Sequence, residues 1–256
     1  MARRRHSNRR HRGGFGVLYK LLSMLVICGV IIVALTLFFR VNTVVVSGQE
    51  RYTAQEVQDA TGLQTGDNLF LLNKYDVVQN IEKALPYIET IRINRKFPDT
   101  LLIEVKECGT PVAVVQDGSA WLISPSAKGK IVDQKPASAA ANYAVVEGCQ
   151  LLSPSVGSYV ALSTEYASQQ SSLLELLVAL NDAGMLEQVD GIQLNDLSVL
   201  TMDFDGRFSV LMPYSADYAL KLKALRLSLE SGRIQENMTG VFDLTQDEVY
   251  FRPNGS

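Results

Sequence analysis

The chain has 256 residues, 47% of them hydrophobic and 20% charged, with a net charge of −3. At that length a tail, an apolar span and two small domains fit better than one long globule. Its two histidines, His6 and His11, both lie near the amino end. The rest of the chain therefore has no imidazole to act as base or ligand, which excludes Ser–His and Cys–His catalysis and the usual His-zinc sites there.

The modest net charge hides an asymmetry. Residues 1–40 carry eight basic residues and no acid, leaving 16 basic against 27 acidic residues in the remainder, a net of −11. A basic tail before an acidic body is a topology signal. Leu21–Phe39 is uncharged over 19 residues, which as a helix spans about 28 Å, enough for a hydrocarbon core. The arginine cluster precedes it, so the positive-inside rule puts residues 1–20 in the cytoplasm and residues 40–256 outside. A cleaved signal peptide is the competing reading. It needs a shorter apolar core and a small-x-small site, and Ala34-Leu35-Thr36 before bulky Phe38-Phe39-Arg40 is a poor one. The tail lacks the interleaved aromatics of a nucleic-acid contact, and topology with anionic lipid accounts for it. Cys28 falls within the span. Cys108 and Cys149 pair only if the fold brings them close, and otherwise remain thiols.

Beyond the span the pattern reads strand, helix, helix, strand, strand over residues 40–109. Val41–Val46 is β-branched and predicts a buried strand, broken at Ser47-Gly48. Thr53-Ala54-Gln55-Glu56 has the form of a capping box, and Gly62 follows that short helix. Asn73 caps a second helix with Val77, Val78, Ile81 and Leu85 on one face, and Pro86 stops it. Ile91 and Ile93 alternate with Arg92 and Asn94. After a turn at Arg95–Asp99, Leu101, Ile103 and Val105 alternate with Leu102, Glu104 and Lys106.

Certain residues carry a resemblance. Val44-Val45-Val46-Ser47-Gly48, Thr61-Gly62-Leu63, Gly66-Asp67-Asn68-Leu69-Phe70, Arg95-Lys96-Phe97-Pro98-Asp99-Thr100-Leu101 and Glu107…Pro111-Val112-Ala113 are similar to the POTRA domain of the FtsQ/DivIB family of bacterial cell-division proteins. Gln49 and Cys108 depart from its pattern.

Residues 110–252 read as a second domain. Val112–Val115 and Ala120–Ile123 form a hairpin over Gln116–Ser119, and Trp121 is a half-buried strand aromatic. Ile131-Val132 continue the sheet after a turn at Ser124–Lys130. Gln134–Asn142 lacks periodicity and is expected as a surface loop. Tyr143–Val146 is a strand. Ser171–Ala183 is a helix with Leu173, Leu174, Leu177 and Leu180 on one face. Val189–Leu194 is a strand, and Leu200–Phe204 and Phe208–Met212 form a hairpin with a two-residue turn at Asp205-Gly206. Tyr218, Leu222, Leu225 and Leu229 make one face of a helix. Val241–Leu244 and Glu248–Arg252 close the sheet. The expected fold class is α+β: one membrane helix, a β-α-α-β-β domain, then a mixed domain of antiparallel sheet with helices on one face. Residues 253–256 form a short tail.

Chemistry is sparse. There is no P-loop and no dinucleotide fingerprint. Ser126 and Lys128 are the nearest Ser–Lys pair, and a solvated loop explains them better. Asp203 and Asp205 flank a turn, where Asp is expected. The reading is therefore non-enzymatic, with no catalytic residue, cofactor or metal. The last strand is a candidate sheet edge that a partner's segment could extend. Val249 and Phe251 would face one side, Tyr250 and Arg252 the other.

The family resemblance implies a single-pass division protein at the septum. It implies partners of the FtsL and DivIC/FtsB types and a link through them to the septal peptidoglycan synthase. It places partner binding on about Thr245–Arg252 (Thr245, Val249, Tyr250, Phe251 and Arg252) and on the helix Tyr218–Leu229. The alternative is a membrane-anchored extracytoplasmic sensor or regulator.

Overall fold

A computed structural model of the protein describes residues 14–235, 237–246 and 248–254. The basic tail with both histidines, and Asp247, lie outside the described residues. Helix α1, Gly14–Phe38, begins earlier than the uncharged run and takes in Lys20. Its stretch Gly16–Thr36 is long and apolar enough to cross a membrane. Apolar side chains are exposed all round it, as a helix surrounded by lipid requires.

The first domain has a three-stranded sheet in the order β1-β3-β2. Strand β1 (Thr43–Ser47) runs parallel to β3 (Thr100–Glu107), which pairs antiparallel with β2 (Ile88–Lys96). The expected buried strand at Val41–Val46 is instead a sheet edge. Val44 and Val46 pack inward while Val45 is exposed. Helix α2 (Ala54–Ala60) starts on the capping box, with Thr53 and Glu56 bonding reciprocally. Helix α3 (Lys74–Ala84) starts on Asn73 and buries Val77 and Ile81. These meet Leu101, Ile103 and Val105 from β3 in one core. The Glu107 carboxylate accepts N–H bonds from Glu50, Arg51 and Tyr52 at 2.7–3.1 Å, fixing the loop between β1 and α2.

The second domain is a nine-stranded sheet. Its strands are β4 (Val112–Gln116), β5 (Ser119–Ser124), β6 (Lys130–Pro136), β7 (Val145–Glu147), β8 (Val189–Gln193), β9 (Val199–Phe204), β10 (Phe208–Pro213), β11 (Gly240–Asp243) and β12 (Tyr250–Pro253). Their order is β12-β11-β10-β9-β8-β7-β4-β5-β6. The pairs β4/β7, β7/β8 and β10/β11 are parallel and the others antiparallel, so the α+β class holds with an antiparallel-rich sheet. Helices α4 (Ala167–Ala183) and α5 (Tyr218–Glu230) share one core with the sheet. Leu176, with Leu173, Leu177 and Leu180, is fully buried in α4; Leu174 is only partly buried. Gly184, at φ +64°, ends that helix in a left-handed cap.

Two expected loops differ. Residues 134–136 belong to β6, and 137–142 form a 3-10 turn. Phe204 pairs with Phe208, leaving the three residues Asp205–Arg207 as the hairpin loop. Asp205 and Gly206 both take positive φ there.

The domains meet through a smaller cluster in which Tyr87 and Cys108 pack with Ala113, Leu122 and Val132. Tyr87 donates its hydroxyl to Asp133 on β6, at 3.1 Å, while Arg51 lies 4.0 Å above its ring. Burial, then the Asp133 charge, pushes the Tyr87 phenol well up. Cys108 and Cys149 are free thiols, and burial raises Cys149 to about 11.

Candidate partner-binding edge

Strand β12 is set by the residue that ends β11. One oxygen of the Asp243 carboxylate accepts both the backbone N–H of Thr245, at 3.1 Å, and its hydroxyl, at 2.6 Å. That local bonding competes with a ladder and turns the chain. The final strand is therefore Tyr250–Pro253 rather than about Thr245–Arg252, and Thr245 sits in the turn. Lys221 of α5 donates to the carbonyl of Gln246, tying the helix to that turn.

The strand pairs antiparallel with β11, Tyr250 opposite Asp243 and Phe251 opposite Phe242. Asn254 donates to Thr239 in the same register. Antiparallel alternation then turns the backbone groups of Tyr250 and Arg252 towards β11 and those of Phe251 outward. Among the described residues no strand lies beyond β12.

The side chains divide by face. Val249 and Phe251 pack against the core shared with α5. The Phe251 ring lies 4.7 Å from that of Phe242 and 6.0 Å from that of Phe208. Tyr250 and Arg252 are exposed on the opposite face. Tyr250 donates to Glu248, whose hydrogen bond and charge raise the phenol pKa. Arg252 pairs with Asp243. The bonds from Thr245, then Arg252, hold the Asp243 carboxyl below the usual range.

Beside β12 lies a groove of about 530 Å³, bounded by the end of α5 and by the chain before β11. Leu227, Ile234, Met238, Phe242, Val249 and Phe251 contribute its apolar wall. Helix α5 begins on Asp217, whose carboxylate accepts the Leu220 N–H, and turns Tyr218, Leu222 and Leu225 inward. Leu229 packs against that core while Leu227 is exposed. The helical periodicity of α5 marks only its buried stripe, and Leu227 lies outside it. A leucine off that stripe is the signal the sequence carries for it, whereas Ile234 and Met238 lie in irregular chain with no periodicity.

The arrangement offers backbone groups along an edge, an apolar groove and an ion pair. Among the described residues no cluster of three or more His, Cys, Asp or Glu could hold a metal. The Ser126 hydroxyl lies 3.2 Å from that of Ser124. Asp205 is engaged by Arg207, and Asp203 accepts from Gln193.

Residues 39–107 match the family model of the FtsQ-type POTRA domain. A cell division protein DivIB of Clostridium botulinum is 34% identical over 70 residues, covering 27% of this chain and 27% of its own. A DivIB of Lactococcus lactis is 33% identical over 86 residues, covering 33% and 22% respectively. A cell division protein FtsQ of Geotalea daltonii is 29% identical over 117 residues, covering 46% and 41%. The matched part thus spans about a quarter of the length of these DivIB relatives.

Proposed function

From the chain's membership of the FtsQ/DivIB family of cell-division proteins, we propose that it is a membrane-anchored, non-enzymatic scaffold of the division machinery. Helix α1 crosses the membrane with the arginine-rich tail in the cytoplasm and both domains outside, the orientation that the positive-inside rule favours. The protein gathers at the septum. It binds FtsL-type and DivIC/FtsB-type partners and couples them to septal peptidoglycan synthesis. The observation that carries this reading is the open edge of β12 beside an apolar groove.

The geometry supports a particular division of labour. Only Phe251 on β12 offers an outward N–H, because Pro253 has none. Backbone pairing therefore fixes register and direction, while apolar side chains of the partner, filling the groove, supply most of the affinity. Tyr250 and Arg252 anchor the face opposite α5. A partner segment that is extended beside β12 and helical over the groove satisfies both demands.

The test is imaging of a fluorescently tagged full-length protein in dividing cells, beside a folded variant carrying Val249→Lys and Tyr250→Lys. Septal signal from the first and diffuse membrane signal from the second is the expected result. An even membrane signal from a functional unsubstituted fusion would overturn the division role in favour of a membrane-anchored regulator.

A further inference from the structure

The first domain meets α1 through side chains that water-soluble domains usually bury. The rings of Phe39, Phe70 and Phe97 lie within 5.3 Å of one another, centre to centre, with Phe38 5.2 Å from Phe39. Only Phe39 among the four is largely covered. Leu71 is 78% exposed, and about half or more of Phe38, Phe70 and Phe97 faces outward. These residues come from three separated segments, so the fold assembles the patch.

The patch is tied to the helix by hydrogen bonds. Asn68 donates its side-chain amide to the carbonyl of Thr36, at 3.2 Å, and Leu69 donates its N–H to Phe39, at 2.8 Å. Both acceptors are carbonyls at a helix end that would otherwise need water. The Asn68 side chain also accepts from the backbone of Phe70 and Leu71, fixing that tip.

The position along the helix is informative. Phe70 and Leu71 share a groove of about 230 Å³ with Ile32, Leu35 and Thr36. Ile32 lies about 9 Å along the axis from Phe38. Gly16–Thr36 is about 31 Å long as a helix, which matches a hydrocarbon core of about 30 Å. Side chains beside Ile32–Thr36 are therefore level with the outermost apolar layer of the bilayer. Exposed Arg40 and Lys96 adjoin the patch in sequence, as cations that meet lipid phosphates would.

We propose that Phe70, Leu71 and Phe97 enter the bilayer leaflet at the carboxyl end of α1 and hold the first domain in one attitude on the membrane. The proposal rests on reading α1 as a membrane span. The lipid occupies the patch because the patch is continuous with the lipid-facing surface of α1 and lies at its depth. A neighbouring apolar helix from a partner is the competing occupant.

The experiment uses the full chain, purified without partners and reconstituted in phosphatidylcholine–phosphatidylglycerol vesicles. Trp121, the single tryptophan, is first changed to phenylalanine. Tryptophan is then placed singly by Leu71→Trp, Phe97→Trp, Val26→Trp within the span, or Leu197→Trp on an exposed turn of the second domain. Vesicles brominated near the headgroup end of the acyl chains should quench Leu71→Trp and Phe97→Trp about twofold, with blue-shifted emission, and leave Leu197→Trp unchanged. Val26→Trp should respond to bromine near the bilayer centre. Quenching at both tips no greater than at Leu197→Trp, with Val26→Trp quenched, overturns the proposal and leaves the span intact. Loss of quenching at Val26→Trp as well removes the span and the proposal together. A melting curve for each variant identifies any that misfolds, and the two tip positions serve as independent readings.

Discussion

The nine-stranded sheet has two edges, and the protein treats them differently. At the β6 edge, residues 157–160 run alongside the start of the strand and bond the backbone of Gly129 and Ile131. Ile131 donates to Ser158, Gly157 to Ile131 and Val160 to Gly129. The first domain also packs there through Tyr87 and Asp133. At the β12 edge nothing among the described residues takes the outward groups. An exposed edge is an aggregation hazard, commonly blunted by shortness, charge and proline. Strand β12 has all three in four residues, Tyr250-Phe251-Arg252-Pro253. These features deter indiscriminate pairing, and they leave the outward backbone of Phe251 free for the partner segment proposed above.

The contrast is sharpened first at the covered edge. Ile131→Pro deletes a backbone donor with a partner and a fully buried side chain. It should destabilise the second domain by about 4 kcal/mol, read as a lower urea midpoint for the full chain in detergent. A midpoint unchanged would mean that residues 157–160 contribute no real cover.

Next, Glu107→Ala removes the acceptor of three backbone N–H groups in the first domain. A loss of about 3 kcal/mol is expected for that domain. Affinity for the proposed DivIC/FtsB-type partner should stay the same if binding belongs to the far edge, and a matching loss of affinity would place the site elsewhere.

At the open edge the order of effects reverses. Val249→Lys with Tyr250→Lys should cost about 1 kcal/mol in stability but weaken the partner complex tenfold or more, about 1.4 kcal/mol. Calorimetric titration and a urea melt together separate the two. Equal affinity in a folded double variant counts against the edge.

The smallest effect is expected at Asp243. Its carboxyl is held below the usual range in the folded state, so it contributes stability that is complete above the unfolded value, near pH 4. That contribution disappears as pH falls through the lower folded value. Asp243→Asn should lower stability at neutral pH and flatten the acid limb below pH 4. An acid limb superimposable on the original would show that the Thr245 and Arg252 bonds have no weight.

Much of this fold is legible in the chain because local chemistry and packing agree. The Thr53–Glu56 capping box, the Asn73 cap and the Leu101-Ile103-Val105 alternation each appear where their residues place them. The misreadings come from tertiary context. Val41–Val46 is apolar enough for a central strand, yet topology puts β1 at an edge and leaves Val45 outside. In α4, leucines at 173, 174, 176, 177 and 180 are too many for one narrow stripe, so the sheet and α5 decide which are fully buried. Lys, Gln and Pro at 134–136 look like loop but extend β6, because alternation at an edge tolerates polar side chains. At the candidate site the alternation of Val249 and Phe251 against Tyr250 and Arg252 is readable. The shortening of β12 is not, because it depends on Asp243 capturing Thr245.

The most direct measurement is site-specific photocrosslinking in dividing cells. A photoreactive residue is placed at Tyr250 on the open edge and, separately, at Gln134 on the opposite, β6 edge of the full-length protein. An adduct with the DivIC/FtsB-type protein from position 250 and none from position 134 is the predicted result. An adduct from position 134, with none from position 250, would contradict the account and move partner binding to the other end of the sheet.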